Sequence, residues 1–292
     1  MNCMDQVVND RYAIYHGDCV EALRGLPDQS IGYSIFSPPF ASLYTYSNSP
    51  RDMGNVRDDA EFFEHFDFLI AELRRVMKPG RNISFHCMDM PSSKERDGVI
   101  GLKDFPGDLL RAFQRHGFIF HAKATIWKDP VTAMQRTKAL GLLHKSVREN
   151  AAMCRMGIPD YLITVRAPGE CERVTHGAEF PVDLWQKVAS PVWMDINPSD
   201  TLQYMSAREH DDERHICPLQ LEVIRRGVML WTNPGDIVLS PFMGIGSEGY
   251  VSVQMGRKFV GVELKASYFQ QARENMAGAV AKTDDMFSQM AA

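Results

Sequence analysis

Asp236-Ile237-Val238-Leu239-Ser240-Pro241-Phe242-Met243-Gly244-Ile245-Gly246-Ser247 decides the fold, because it passes from a short apolar strand through a glycine turn into the start of a helix. Glu248 to Gln254 continues as that helix, Lys258-Phe259-Val260-Gly261-Val262-Glu263 is a second strand ending in an acid, and Ala266 to Met276 is a second helix. Strands alternating with helices predict a βαβ unit and parallel strands. Glycines at the strand–helix turn let the backbone approach a ligand closely, and an acid at the tip of the next strand is placed for ribose hydroxyls. The unit therefore reads as a nucleoside-cofactor site. Gly244 to Gly249 also satisfies G-x-G-x-x-G, which keeps a dinucleotide-dependent oxidoreductase open, although that fingerprint usually opens a fold and here lies near the end.

Far upstream, Ile31-Gly32-Tyr33-Ser34-Ile35-Phe36 is a largely apolar run that predicts a buried strand, and Ser37-Pro38-Pro39-Phe40 follows at its carboxyl end. The prolines fix φ and remove two backbone donors. Carbonyl groups and the Ser37 hydroxyl are left as acceptors on a stiff turn beside the flat Phe40 ring. That combination suits holding a planar group with an exocyclic amine. Taken alone, it is equally a proline-rich turn at a strand end.

Together the two segments resemble the amino-methyltransferases of DNA, which carry an S/D/N-P-P-F/Y/W catalytic motif and a D-P-F-x-G-x-G cofactor motif. With the catalytic motif first, the order is similar to the β-class, circularly permuted arrangement. The resemblance covers most of the chain: His16-Gly17-Asp18-Cys19 with Leu23, Leu26, Pro27 and Ser30, then Leu73 to Gly80, then Pro218-Leu219 and Leu221, all follow in the family's order. It implies a Rossmann-like methyltransferase fold with a mostly parallel twisted sheet and a less regular target-recognition insert. It also implies S-adenosylmethionine as cofactor and DNA as partner, with the target base flipped out or taken from a single strand.

By the same resemblance Ser37, Pro38, Pro39 and Phe40 are catalytic. The Ser37 hydroxyl and Pro38 carbonyl would accept the two amine hydrogens, and Phe40 would stack on the base. The implied cofactor residues are Asp18 with Cys19 near the adenine end, Pro218 and Leu219 by the carboxylate, and Ser240, Phe242, Gly244, Gly246 and Ser247 around methionine and sugar, with Glu263 on the ribose. Two positions depart from the pattern: Ser240 stands where the family has Asp, and Cys217-Pro218 where Lys-Pro is common. Ser in the first catalytic position is commoner among cytosine N4 enzymes, Asp or Asn among adenine N6 enzymes, while Phe36 replaces the Thr of the N4 pattern. The balance leans to cytosine N4 with adenine N6 open. A methyltransferase for RNA or protein amides and a non-catalytic DNA-binding relative are further alternatives. Dimers are frequent among β-class relatives, and a nuclease partner stays open.

A chain of 292 residues with 45% hydrophobic and 24% charged residues has ordinary globular composition. No apolar run approaches the ~20 residues of a membrane helix. The amino terminus, with Asp5 and Asp10 and no apolar core, does not read as a signal peptide. Six cysteines, at 3, 19, 87, 154, 171 and 217, form no C-x-x-C, so reduced thiols in the cytoplasm are expected. His86-Cys87 and His215-Ile216-Cys217 lack the paired spacing of a zinc site, so no metal is expected.

The net charge of −5 hides an asymmetry: residues 121–168 hold eight Lys and Arg against three acids, +5 locally against about −10 elsewhere. A basic patch on an acidic body suits one-sided contact with phosphates; the alternative is a solvated helix face. Lys138, Lys145 and Arg148 are the candidate contacts there. Tyr44 and Arg51, with Tyr46, join them from the aperiodic stretch Ala41 to Asp59, read as a loop over the substrate.

Elsewhere residues 11–40 read as strand, helix and strand. Phe62, Phe66, Leu69, Leu73 and Val76 predict a helix to Met77 stopped by Pro79-Gly80, followed by a strand over Asn82 to Met88. Asp104 to His116 is a helix, and Phe118 to Trp127 and Tyr161 to Arg166 are strands, read as continuing one parallel-type sheet. Residues 167–214, with scattered Pro and Gly and with Trp185 and Trp193, break the pattern. We expect a single domain over 1–292 with a target-recognition and DNA-contact insert at 131–214. The tail after Lys282 is expected to fray.

Overall fold

The computed structural model describes residues 2–40, 53, 58–92, 97–131, 144–154, 156–176, 180–203 and 218–291. In chain order, β1 (Asp5–Val8), β2 (Tyr12–His16), α1 (Cys19–Arg24) and β3 (Ile31–Phe36) precede α2 (Asp59–Val76) and β4 (Met77–Met88). A short ribbon, β5 (Met90–Ser92) with β6 (Gly101–Lys103), leads into α3 (Phe105–Arg115) and β7 (Ile119–Ile126). Next come α4 (His144–Asn150), β8 (Asp160–Arg166), α5 (Val182–Ala189) and β9 (Val192–Trp193). The chain closes with α6 (Leu221–Trp231), β10 (Ile237–Ser240), α7 (Ser247–Gln254), β11 (Lys258–Glu263) and α8 (Ala266–Ala291).

Nine strands form one sheet in the order β1-β2-β11-β10-β3-β4-β8-β7-β9. β2, β11, β10, β3 and β4 run parallel. The crossover from β10 to β11 moves one way along the sheet and that from β3 to β4 the other, so the carboxyl ends of β10 and β3 flank the crevice where α/β sheets bind ligands. One face packs Leu23, Phe62, Phe66, Leu73 and Phe113 of α1, α2 and α3 onto Phe36 and Phe85. The other packs Val223, Val228, Val251, Phe269 and Met276 of α6, α7 and α8 onto Tyr33, Ile35 and Phe259. β3 is buried at every position because both faces are covered.

Three expectations are corrected. The far strands do not continue a parallel sheet: β8 is antiparallel to both β4 and β7. Periodicity does not carry strand direction, but the wide exposure along β7 suits an outlying antiparallel strand better than a fully covered parallel one. Pro79-Gly80 does not divide helix from strand. It forms a bulge inside β4, where the register passes from Ile31↔Met77 to Tyr33↔Asn82. Gly80 has φ +70°, and a Cβ there would lie 2.9 Å from the Gly169 carbonyl oxygen, so the bulge requires glycine. Arg81 then pins the start of three strands, donating to the Gly32 carbonyl at 2.7 Å and pairing with Asp236.

The tail is the third. Helix α8 runs to Ala291, since nothing after Gly278 breaks it, and Asp284 meets Arg11 at 2.6 Å. Within 167–214, Trp193 is buried in the core and Trp185 is half exposed. The fully buried Arg226 of α6 lies 5.0 Å from the Trp193 ring and donates to both Asp195 carboxylate oxygens at 2.8 Å, fastening this stretch to the sheet.

Candidate active site

The two motifs read from the sequence meet at the carboxyl ends of adjacent parallel strands. Val238 pairs with Tyr33 and Leu239 with Ser34, so Ser240-Pro241-Phe242 leaves β10 beside Ser37-Pro38-Pro39-Phe40 leaving β3. The Phe36 and Phe242 rings lie 5.8 Å apart. Pro38 is buried, while Ser37, Pro39 and Phe40 are half-buried at the mouth. The Phe40 ring sits 6.0 Å from that of Phe105 and packs on the core cluster behind it.

The glycine turn is built for close approach. Gly244 and Gly246 have φ +52° and +87°, and a Cβ on Gly244 would meet no atom within 4 Å. The Gly244 N–H donates to Glu263 Oε2 at 2.9 Å, and the Lys265 N–H donates to Oε1 at 2.8 Å. Glu263 thus braces the turn from the tip of β11. Asp18 caps α1, accepting from the Glu21 N–H at 3.0 Å, and the Gly17 N–H donates to the Glu263 carbonyl at 2.9 Å, which brings the β2 end alongside. Cys19 is buried in the core, and burial first, then the charge of Asp18, pushes its thiol far up. Leu219 is buried and Pro218 half-buried.

The residues here fit a polar, nucleoside-bearing cofactor. The hydroxyls of Ser240 and Ser247 are buried without a protein hydrogen-bond partner, beside the open space at Gly244. Such groups ordinarily find partners. A ligand in the turn would supply them.

Glu248, in the first turn of α7, is buried with Oε2 unpaired. Burial, reinforced by the charge of Glu263, pushes its carboxyl up to about 8. A folded value above the ordinary 4.5 contributes stability present below that ordinary value and lost as pH rises through about 8. Glu248→Gln is therefore expected to flatten the decline in Tm between weakly acidic and weakly alkaline pH, a few kcal/mol in order of magnitude. An unchanged decline in the variant, by thermal melts across that range, would contradict the assignment.

Behind Ser37 stands a set of groups to which sequence reasoning gave no role. Ser37 Oγ lies 3.0 Å from His86 Nδ1. His86 Nε2 lies 3.1 Å from Asp160 Oδ2, and Lys128 Nζ lies 2.5 Å from Asp160 Oδ1. Burial raises the Asp160 carboxyl, but the attraction of His86 and Lys128 outweighs it and holds the group below the usual carboxylate range. The signal was strand register. Phe36 pairs with Phe85 across parallel β3 and β4, so the next residues, Ser37 and His86, fall side by side.

The nucleic-acid candidates are only partly in view. Tyr44, Tyr46, Arg51, Lys138 and Cys217 lie outside the described residues. Lys145 and Arg148 lie on exposed α4, where Lys145 reaches Glu149 at 3.6 Å. Lys128 is tied to Asp160, and Lys123 lies 3.8 Å from the Tyr161 ring centroid, so two cations counted in the basic stretch have partners within the fold.

With this geometry the chain belongs to the N6/N4 DNA methylase family, whose model, described as DNA methylase, matches residues 33–274 and so spans both turns. It is similar to the DNA adenine methyltransferase YhdJ of Escherichia coli (strain K12), 24% identical over 268 residues that cover 90% of this chain and 81% of that one. A DNA modification methylase of Thermus thermophilus, complexed with S-adenosyl-L-methionine, superposes with TM-score 0.66 at 22% identity over 92% of this chain and 96% of its own. The cytosine-N4-specific PvuII DNA methyltransferase gives TM-score 0.67 at 16% identity over 97% and 96%. The shared architecture is the Rossmann-like, mostly parallel sheet expected from the motifs. No helix among the described residues is long and apolar enough to cross a membrane.

Proposed function

We propose that this chain moves a methyl group from S-adenosylmethionine to the exocyclic amine of a base in DNA, with N4 of cytosine the favoured target. The observation that carries the reading is the abutment of the Ser37-Phe40 turn and the Gly244-Gly246 turn at the switch between β3 and β10. When bound, S-adenosylmethionine supplies a methyl group made electrophilic by its sulfonium.

An aromatic amine is a poor nucleophile because its lone pair is delocalised into the ring. Ser37 Oγ and the Pro38 carbonyl accept its two hydrogens and turn the lone pair outward, toward the glycine turn. Phe40 steadies the base by stacking, worth ~1–3 kcal/mol on nucleic-acid platforms. Holding both reactants in line supplies much of the acceleration. Glu263 and the backbone of Gly244 keep the cofactor side rigid, and Asp18 lies at the adenine end. Ser37 in the first motif position, a hydroxyl where adenine enzymes commonly carry a carboxylate or amide, favours cytosine N4.

Residues 131–214, within a single domain, are assigned to DNA contact. The exposed Lys145 and Arg148 and the half-exposed Trp185 support this. Lys138→Glu combined with Lys145→Glu is expected to weaken DNA binding and to lower the slope of log affinity against log salt, by ~0.9 for each phosphate no longer neutralised. Titrations at several salt concentrations check it, and an unchanged slope assigns the patch to solvent. Labelled-methyl transfer offered to DNA, RNA and protein in parallel tests the substrate class. Label in DNA alone is expected; label only in RNA or protein overturns the reading.

A further inference from the structure

The Ser37 hydroxyl is both donor and acceptor, and only one of those roles helps. Were its hydrogen to point at the target amine, it would occupy the lone pair that must attack. His86 Nδ1, 3.0 Å away, offers that hydrogen another destination and leaves the Oγ lone pairs free for an amine hydrogen. We propose that His86 is the positioning residue that orients Ser37 and receives its proton during methyl transfer. The inference rests on the methyl-transfer reading above.

Nδ1 can accept only if the ring proton sits on Nε2. That nitrogen is buried without an aligned hydrogen-bond acceptor, yet Asp160 Oδ2 lies 3.1 Å from it, an electrostatic contact that favours a proton on that side. Asp160 is itself buried and fixed by Lys128, so the carboxylate is a permanent feature of the site. The step balances. The N–CH₃ bond forms as the CH₃–S bond breaks, its pair staying on sulfur. One amine N–H breaks, its proton passes to Ser37 Oγ, and the Ser37 proton passes to His86 Nδ1. The imidazolium, beside Asp160, then loses a proton to solvent.

Other charged groups do not compete for His86. Cys87, Asp89 and Tyr161, with Lys123 over the Tyr161 ring, lie toward the opposite face of the sheet. On the near face, Arg225 and Arg226 of α6 are bound to Glu222, and Arg226 also to Asp195.

The test is single-turnover methyl transfer to DNA by the full chain from about pH 5 to about pH 9, spanning the ordinary histidine range. The wild type is expected to lose rate about tenfold per pH unit on the acid side, where the imidazolium can no longer accept. His86→Asn keeps an acceptor without a titration and should lose that limb. His86→Ala should be slower by about a hundredfold, and adding it to Ser37→Ala should cost little more, because the two act as one unit. Two readouts lie outside turnover. S-adenosylmethionine should bind every variant equally, and in ¹⁵N-histidine spectra the His86 Nδ1 should resonate as an unprotonated acceptor that moves on Ser37→Ala. A persistent acid limb in His86→Asn, wild-type rate in His86→Ala, or multiplying losses in the double variant would overturn the inference while leaving methyl transfer intact. A wild type that binds cofactor but methylates no DNA overturns the functional reading and the inference together.

Discussion

Gly244→Val is expected to abolish S-adenosylmethionine binding in a protein that still folds. Gly244 has φ +52°, a left-handed conformation that costs a residue with a Cβ ~1–2 kcal/mol and a β-branched one more. Because no atom lies within 4 Å of the added Cβ, the substitution meets no clash with the protein. Its branches instead fill the space that the turn holds open. Relaxation of the strain would also pull the Gly244 N–H from Glu263, loosening the brace between β10 and β11. Each ~1.4 kcal/mol is tenfold in affinity, so strain and lost space together should weaken binding by at least about a hundredfold. Calorimetric titration reads this directly, with the melting temperature as the control for folding. Near-normal affinity in a folded variant would move the cofactor away from this turn.

Ser37→Ala carries the second large effect. It removes one of two acceptors for the amine and leaves the cofactor turn untouched, so turnover should fall by at least about tenfold, as for other single positioning groups at reacting centres, with cofactor affinity unchanged. The two variants are complementary. Gly244→Val fails before the cofactor binds, whereas Ser37→Ala fails after it. Unchanged turnover in Ser37→Ala would remove the hydroxyl from the reaction.

Much of this site was legible in the chain itself. The strand–glycine–helix pattern at 236–254 and the buried run at 31–36 are local signals, and each element formed within a residue or two of its expected bounds. Family order then placed the two turns in one fold. What stayed hidden was relational. Strand direction at β7 and β8 leaves no mark in periodicity, and the Pro79-Gly80 bulge looks the same in sequence as a turn. His86, Asp160 and Lys128 are far apart in the chain and become partners only because β3, β4 and β8 are neighbours. Glu263 shows the same limit. An acid at a strand tip suggested ribose, while both its oxygens also accept from the backbone that shapes the turn.

The most direct test of the central claim is nucleoside mass spectrometry of unmethylated DNA incubated with the protein and S-adenosylmethionine. The account predicts an N-methylated base, with N4-methylcytosine the expected product and N6-methyladenine the outcome that would reassign the target within the same chemistry. Neither product, from a protein that binds the cofactor normally, would contradict the account.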